Sequence, residues 1–465
     1  MSTDSAKSAE HLRAAWEDMM ASLEEARAAI DTPDLMPPPA TDRNLAEGYR
    51  YLMGFMHYAI ERAFHEDPDH PHFRNALSII NRSTIDNADA IYFYAAIDGK
   101  QAYRLRGTVA DHRHWRGAAP AEGIPKAPSY MIFEVTEGVM TGDSGTLIEN
   151  MPGVRTRTGR LDSSELIIDA DGNFEILLAP EKPEGYSGNF IATLAINSRP
   201  NPMDESAGEE RYATVVSGRQ LFGDWEFEQA VHLEMTPVAA AVEPPALYSA
   251  AAAAAELRRC GELVRNQMHY WNAFWTILLG TYGEREGSLP GIAFPRNAFN
   301  VVNAASGATG GGMSTNLASG GVFELADDEA FIIEMEVLVT PRYMGFQLAN
   351  LWGESLEYGS RLGSLNGQQL QQDSDGKYRM VVAHQDPGVP NWLDTSGHAE
   401  GFLTARWTYT DTPAEADWPV ISGYKLPFAD VRSRLPADTP GVSPEQRRAT
   451  LTMRQRHVTR RFRAF

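Results

Sequence analysis

Asp169-Ala170-Asp171-Gly172-Asn173-Phe174 recurs further along the chain as Asp373-Ser374-Asp375-Gly376-Lys377-Tyr378. The match continues without gaps from Ile176-Leu177-Leu178-Ala179 and Pro183 to Met380-Val381-Val382-Ala383 and Pro387. With a small shift, Asn189-Phe190 then meets Asn391-Trp392. Upstream, Pro128, Tyr130-Met131 and Phe133 match Pro341, Tyr343-Met344 and Phe346. Each copy reads as a strand, an Asp-rich turn, a buried strand, a Pro-containing loop and an Asn-aromatic pair. Asp and Gly supply the turn, and a short apolar run bounded by turn residues suits a buried strand. One copy offers a sheet with an apolar face, and two copies can cover each other. The expected fold class is therefore mainly β with α additions (α+β). It comprises duplicated jelly-roll-like β-sandwich units with N-terminal helices, a helical insertion and a C-terminal helix. Both Asp-x-Asp-Gly segments are expected at hairpin turns.

Outward from the repeats the period changes. Leu12, Trp16, Met19, Leu23, Ala26 and Ile30 recur at steps of three and four, as do Leu45, Tyr49, Leu52, Met56, Ile60 and Ala63. Both series read as helix faces, separated by Thr32-Pro33 and Pro37-Pro38-Pro39, with Thr41-Asp42 as N-cap. Ile91–Ile97 and Tyr103–Arg106, joined by Asp98-Gly99, read as a hairpin. A helix follows Ala250–Ala255 through Leu257, Cys260, Val264, Met268, Trp271 and Trp275, and is expected to serve the core. Ser443, Pro444 and Gln446 form a capping box ahead of an arginine-rich tail that includes Arg447, Arg454 and Arg461. That tail is expected to dock onto the acidic body or a sister subunit. The resulting units are an N-terminal helical segment at 1–75, β-rich units at 76–240 and 286–412, a helical insertion at 241–285, and an extension at 413–465.

Composition excludes several functions. The net charge of −21 argues against a nucleic-acid partner, which requires a basic surface. A single cysteine, Cys260, allows no internal disulfide and no cysteine zinc site. The acidic first thirty residues carry no secretory pattern, and the richest apolar run, Trp271–Leu279, is too short to span a bilayer. A cytoplasmic protein with no membrane partner is expected.

Asp386-Pro387-Gly388-Val389-Pro390-Asn391-Trp392-Leu393-Asp394-Thr395 with Gly397-His398, and Leu351-Trp352-Gly353-Glu354-Ser355-Leu356-Glu357-Tyr358, resemble the bacterial family called domain of unknown function 1214. Asp67-Pro68-Asp69-His70-Pro71 and Asp89-Ala90-Ile91-Tyr92 resemble other segments of it. The resemblance covers most of residues 45–460. It implies a jelly-roll fold with helical additions and a place in bacteria that break down aromatic and steroid-like compounds. It implies no particular reaction.

No phosphate loop, dinucleotide-binding glycine fingerprint, Gly-x-Ser-x-Gly elbow or His-Glu-x-x-His helix occurs. Gly307–Gly312 reads as a loop that could serve as a lid. The Asp-x-Asp-Gly turns lack the twelfth-position glutamate of a calcium loop. His65, Asp67, Asp69, His70 and His72, with His112 and His114 nearby, are ligand types for zinc or iron, but turn and cap chemistry explains the cluster and no metal is expected. The second copy instead gathers His384, Asp386, Asn391, Trp392, Asp394 and His398, where the first has Pro180, Lys182, Asn189 and Phe190. One repeat that gains titratable groups is what a single active site would look like. An imidazole beside a carboxylate moves protons near neutral pH, and an amide can donate to an oxyanion.

The expected catalytic residues are His398, Asp394, Asn391 and His384. Trp392, Tyr343, Arg406 and Trp352 are the expected substrate-binding residues. The function expected is a cofactor-independent catabolic lyase that cleaves a carbon–carbon bond (retro-aldol or deformylation type) in a bulky aromatic or apolar compound. A homo-oligomeric state is a further expectation. The alternatives are a non-catalytic small-molecule or carbohydrate-binding protein, and a metal-dependent hydrolase built on the His65–His72 cluster.

Overall fold

A computed structural model describes residues 3–31, 38–138, 141–151, 153–200, 207–239, 244, 247–278, 294–304 and 316–462. The Gly307–Gly312 loop and Arg463 lie outside the described residues. Three long helices, α1 (Thr3–Asp31), α2 (Asp42–His65) and α3 (Ala250–Ala273), pack together, and α4 (Val431–Arg434) and α5 (Pro444–Arg461) follow the last strand.

The first repeat contains β1 (Arg74–Leu77), β2 (Ala90–Ala96), β3 (Tyr103–Thr108), β4 (Tyr130–Glu137), β5 (Thr156–Asp162), β6 (Asn173–Ala179) and β7 (Asn189–Ala192). It continues with β8 (Leu194–Ile196), β9 (Glu210–Tyr212), β10 (Val215–Leu221) and β11 (Leu233–Pro237). The second contains β12 (Asn316–Glu324), β13 (Glu329–Glu336), β14 (Tyr343–Ala349) and β15 (Ser364–Asn366). After these come β16 (Tyr378–Ala383), β17 (Trp392–Asp394), β18 (Glu400–Thr408) and β19 (Val420–Pro427).

The sheets β1-β2-β10-β4-β5 and β11-β3-β6-β7 answer to β12-β18-β14-β15 and β19-β13-β16-β17. Once β1 and the small β8–β9 ribbon are set aside, the two repeats share one strand order. They also share the parallel pairing of β6 with β7 and of β16 with β17. The duplication read from the sequence is therefore a duplication of topology. Its register is visible in single pairs. Arg106 on β3 faces Glu175 on β6 at 2.9 Å, and at the matching place Glu334 on β13 faces Arg379 on β16 at 3.1 Å, with the charges exchanged.

Alternation along β4 and β14 defines the layers. Met131, Phe133 and Val135 enter the core of the first sandwich, and Met344, Phe346 and Leu348 that of the second. The opposite faces meet each other: Tyr343 packs with Tyr130, Ile132 and Leu221 between the repeats. β4 and β14 are buried on both faces, which explains their nearly unbroken apolar character.

Several local expectations change. The Asp98-Gly99 turn leads from β2 in one sheet to β3 in the other, so those strands do not form a hairpin. A tight-turn signature fixes the turn and leaves open which strands pair. The Asp-x-Asp-Gly segments are tight turns, closed by Asp169 N–H to Asn173 O at 2.9 Å and Asp373 N–H to Lys377 O at 2.8 Å. They too feed one sheet from the other. The second β unit runs through β19 to Pro427, past the expected end at 412. On α1 the expected face is buried through Met19, Ala26 and Ile30, with Trp16 exposed, whereas on α2 the buried face is rotated from the expected one: Tyr49 and Ile60 are exposed, while Glu47 and Arg62 are buried.

Capping follows the sequence. Thr41 Oγ1 accepts from Asn44 N–H at 3.1 Å, and Ser443 and Gln446 form the reciprocal box. The arginine-rich α5 docks onto its own chain. Arg447 donates to Asp386 at 2.9 Å, and fully buried Arg454 donates to Tyr358 O at 2.7 Å and Ser364 Oγ at 2.8 Å. Arg461 donates to Ala88 O at 2.9 Å and lies 5.1 Å from the Trp225 ring centroid. Cation–π contact and hydrogen bonding together offset the desolvation of these guanidiniums.

Candidate functional site

The structure does not bring the sequence-selected residues together at one place. Three of them gather at the turn after β17. His384 Nδ1 lies 2.7 Å from Thr395 Oγ1, Asp394 accepts from Arg361 at 3.1 Å and from Ser396 N–H at 2.8 Å, and His398 Nδ1 lies 2.9 Å from Thr395 O. His398 Nε2 reaches Glu47 Oε1 on α2 at 2.8 Å. Asn350 Nδ2 donates to both Glu47 and Glu354, and Arg50 closes onto Glu354 at 2.5 Å. Burial pushes the Glu47 carboxyl up, but the hydrogen bond and charge of His398, with Arg50 and Arg43, outweigh it and hold the group below the usual carboxylate range. This network ties α2 to the second repeat.

Asn391 stands apart from that cluster. Its amide accepts from Gln371 N–H at 2.9 Å and donates to Gln371 O at 2.7 Å and Arg379 O at 2.9 Å. Asn189 makes the same three contacts, with Ile167 N–H, Ile167 O and Glu175 O at 2.7, 2.8 and 2.9 Å. With its amide committed to backbone, Asn391 does not stand as an oxyanion donor. Trp392 donates to Ala383 O at 3.1 Å and Trp352 to Asn44 O at 2.8 Å. The buried Tyr343 hydroxyl donates to Asp89 at 2.6 Å. Neither tryptophan nor Tyr343 lines the cavity formed between the helices and the two repeats, and of the eight residues chosen from sequence only Arg406 does.

That cavity, about 310 Å³, lies where α2, α3 and the facing sheets of the two repeats converge. A site of this size and lining is typical for a small molecule. Its walls include eight aromatic residues, among them Phe55 and Tyr58 of α2, Tyr92 and Phe93 of β2, and Trp271 and Trp275 from α3 and its extension. Hydrogen bonds hold the helical wall. Tyr58 donates to Asp143 at 2.9 Å and accepts from Arg62 at 2.6 Å, and burial pushes its phenol well above the ordinary value. Gln267 accepts from Trp271 Nε1 at 2.9 Å and donates to Asp143 at 2.9 Å.

The polar part of the lining includes four charged residues. Glu134 of β4 is the one carboxylate among the described lining residues; it is buried, with Arg157 3.0 Å away. Arg155, Arg219 and Arg406 bring three guanidiniums. One wall is strained. Thr84 and Ile85 have φ of 64° and 50°, left-handed values that are unusual for consecutive β-branched residues. Ile85 N–H donates to Gly353 O at 2.7 Å, and its carbonyl accepts from Arg406, which fixes the conformation. Such strain costs of order 1–3 kcal/mol per residue and persists where its surroundings over-determine it, often at ligand sites.

These residues come from distant parts of the chain, and no local motif joins them. One sequence signal does reach them. Extending the repeat alignment by strand register places Ser217-Gly218-Arg219 of β10 opposite Thr404-Ala405-Arg406 of β18.

The histidine-rich loop is a turn. Asp67 receives His70 Nδ1 at 2.8 Å and Asp69 N–H at 2.9 Å. Among the described residues, no three His, Cys, Asp or Glu side chains gather closely enough to hold a metal ion. No described helix is long and apolar enough to cross a membrane.

Fold and site together define a duplicated β-sandwich protein with an aromatic-walled, charge-bearing cavity where its halves meet a helical layer. Among solved structures, an uncharacterized protein from Burkholderia cenocepacia is similar over 91% of this chain and 99% of its own, at 24% identity and a TM-score of 0.69. That likeness concerns the fold. A Vibrio parahaemolyticus protein aligns over 87% of this chain and 100% of its own, at 10% identity and a TM-score of 0.39. No family model matches the sequence, and no curated protein does.

Proposed function

We propose that the cavity is the active site of a cofactor-independent carbon–carbon lyase acting on a bulky aromatic β-hydroxy carbonyl compound. The observation that carries this reading is Glu134, a buried carboxylate facing an aromatic-walled cavity. In a retro-aldol cleavage a base takes the hydroxyl proton, the bond between the carbinol and α carbons breaks, and the electron pair passes to the carbonyl as an enolate. The proton held by the base then returns to the α carbon, so nothing is oxidised or reduced. Glu134 has the position for the base, and the three lining guanidiniums favour the developing enolate charge. The role expected of His398, Asp394 and His384 passes in this reading to Glu134, because Glu134 lines the cavity and those three side chains do not.

The test uses 3-hydroxy-1,3-diarylpropan-1-ones as substrates and the matching unreactive diaryl ketones as ligands. Glu134→Gln should lower kcat by roughly 10²–10⁴ and leave ketone binding unchanged. Ser217→Phe, which fills the cavity from β10, should abolish both. Ketone binding without turnover of any such substrate would leave the chain a carrier of the same ligands and end the lyase reading.

A further inference from the structure

The two arginines that duplication places at matching positions face the same cavity. Arg219 on β10 pairs with Ile132 on β4, and Arg406 on β18 pairs with Gly345 on β14. Ile132 and Gly345 hold the same place relative to Tyr130 and Tyr343, the aligned residues that pack together between the repeats. Arg219 and Arg406 are thus one residue of an ancestral unit, present twice, and both line the space where the copies meet. A third guanidinium, from Arg155, lines that space too and pairs with the buried Glu149 at 3.4 Å, while Glu134 is the one carboxylate among the described lining residues. Each arginine also has a neighbour within the fold: Arg219 lies 5.3 Å from the Tyr92 ring centroid, and Arg406 donates to Ile85 O. These contacts orient both groups.

A cavity lined by more guanidiniums than carboxylates, in a chain of net charge −21, has a local sign opposite to that of the whole protein. Partly dehydrated guanidinium forks recognise a planar oxyanion by two parallel N–H bonds, a geometry suited to carboxylate. The aromatic walls suit a ring system attached to that group. We propose that Arg219 and Arg406 together seat the carboxylate of an aromatic or alicyclic acid, which makes the substrate class an organic acid. This rests on the cavity being the ligand site and is independent of which bond is cleaved.

The experiment measures calorimetric binding of naphthalene-2-carboxylate and its neutral isostere naphthalene-2-carboxamide to the full chain. The acid should bind roughly ten- to a hundredfold tighter than the amide, the range expected for charge-assisted hydrogen bonds. Arg219→Met and Arg406→Met should each remove most of that preference while amide binding holds, and Arg219→Lys should keep part of it. Amide binding also reports that each variant has folded. Equal binding of acid and amide to the native chain would overturn the anion seat and leave the cavity reading standing. A preference that survives both methionine variants would overturn it as well. If neither compound binds, and the diaryl ketones also fail, the cavity reading falls and takes the anion seat with it.

Discussion

Asp89→Ala should lower folding stability by about 3–5 kcal/mol, because it removes the common acceptor of three buried hydrogen-bond donors at roughly 1–3 kcal/mol each. Trp225 Nε1 and Asn366 Nδ2 each donate to Asp89 Oδ1 at 2.8 Å, and the Tyr343 hydroxyl donates to Oδ2 at 2.6 Å. Burial pushes the Asp89 carboxyl up, and these bonds with the charges of Arg454 and Arg461 draw it back part of the way. The same burial pulls both guanidiniums down, Arg454 to about 10. Without the carboxylate, three donors drawn from both repeats lose their common acceptor, and the two cations of α5 lose a nearby compensating charge. Urea unfolding of the native and variant chains measures the difference. A loss below about 1 kcal/mol, the range of an exposed ion pair, would show that Arg454 and Arg461 are balanced by other groups. Arg454→Ala in the Asp89→Ala background should then cost less than it does in the native chain, because residues sharing one network are not additive.

The sequence made the architecture legible because repetition survives where burial and turn chemistry constrain each position. Asp-x-Asp-Gly, the four-residue apolar run and the Asn-aromatic pair recur because each solves the same backbone problem twice. Pairing was harder to read. Asp98-Gly99 shows a turn, but whether β2 and β3 share a sheet depends on the whole sandwich. The face of α2 was misjudged for a related reason. Hydrophobic spacing selects Tyr49 and Ile60, while Glu47 and Arg62 are drawn inward by His398 and Asp143, partners far away in sequence.

The site was less legible than the fold. Clusters of His, Asp and Asn along the chain attract attention because they are near one another in sequence, yet a turn uses the same residue types to satisfy its own backbone. The cavity takes its chemistry from isolated residues on separate elements. Divergence between the repeats explains its asymmetry. Glu134 faces Ser217 across the β4–β10 pair, and its counterpart Gln347 faces Thr404 across β14–β18. Gln347 accepts from Ala88 N–H at 3.0 Å and donates to Asp86 O, holding down the strap that follows the strained Thr84-Ile85 pair. The same position thus presents a carboxylate to the cavity in one copy and an amide to the backbone in the other.

Asn391→Ala should destabilise the fold by roughly 2–4 kcal/mol, and Asn189→Ala should cost a similar amount. Each substitution removes the three hydrogen bonds of a buried amide to partly buried backbone groups, and each such bond contributes roughly 0.5–1.5 kcal/mol. The paired contacts differ by no more than about 0.2 Å between the repeats, which is small against the spread of ordinary hydrogen-bond lengths. Equal costs are therefore the expected result. A catalytic Asn391 would behave differently: its alanine variant would keep a near-native melting temperature and lose turnover by roughly 10²–10³. Asn189→Ala supplies the reference, since the first repeat carries no histidine or aspartate at the positions of His384, Asp386, Asp394 and His398. Melting temperature and turnover measured on the same two purified variants separate the cases. If Asn391→Ala melts near the native temperature while Asn189→Ala does not, the structural equivalence of the two amides fails, and the segment from Asn391 to His398 returns as the catalytic candidate.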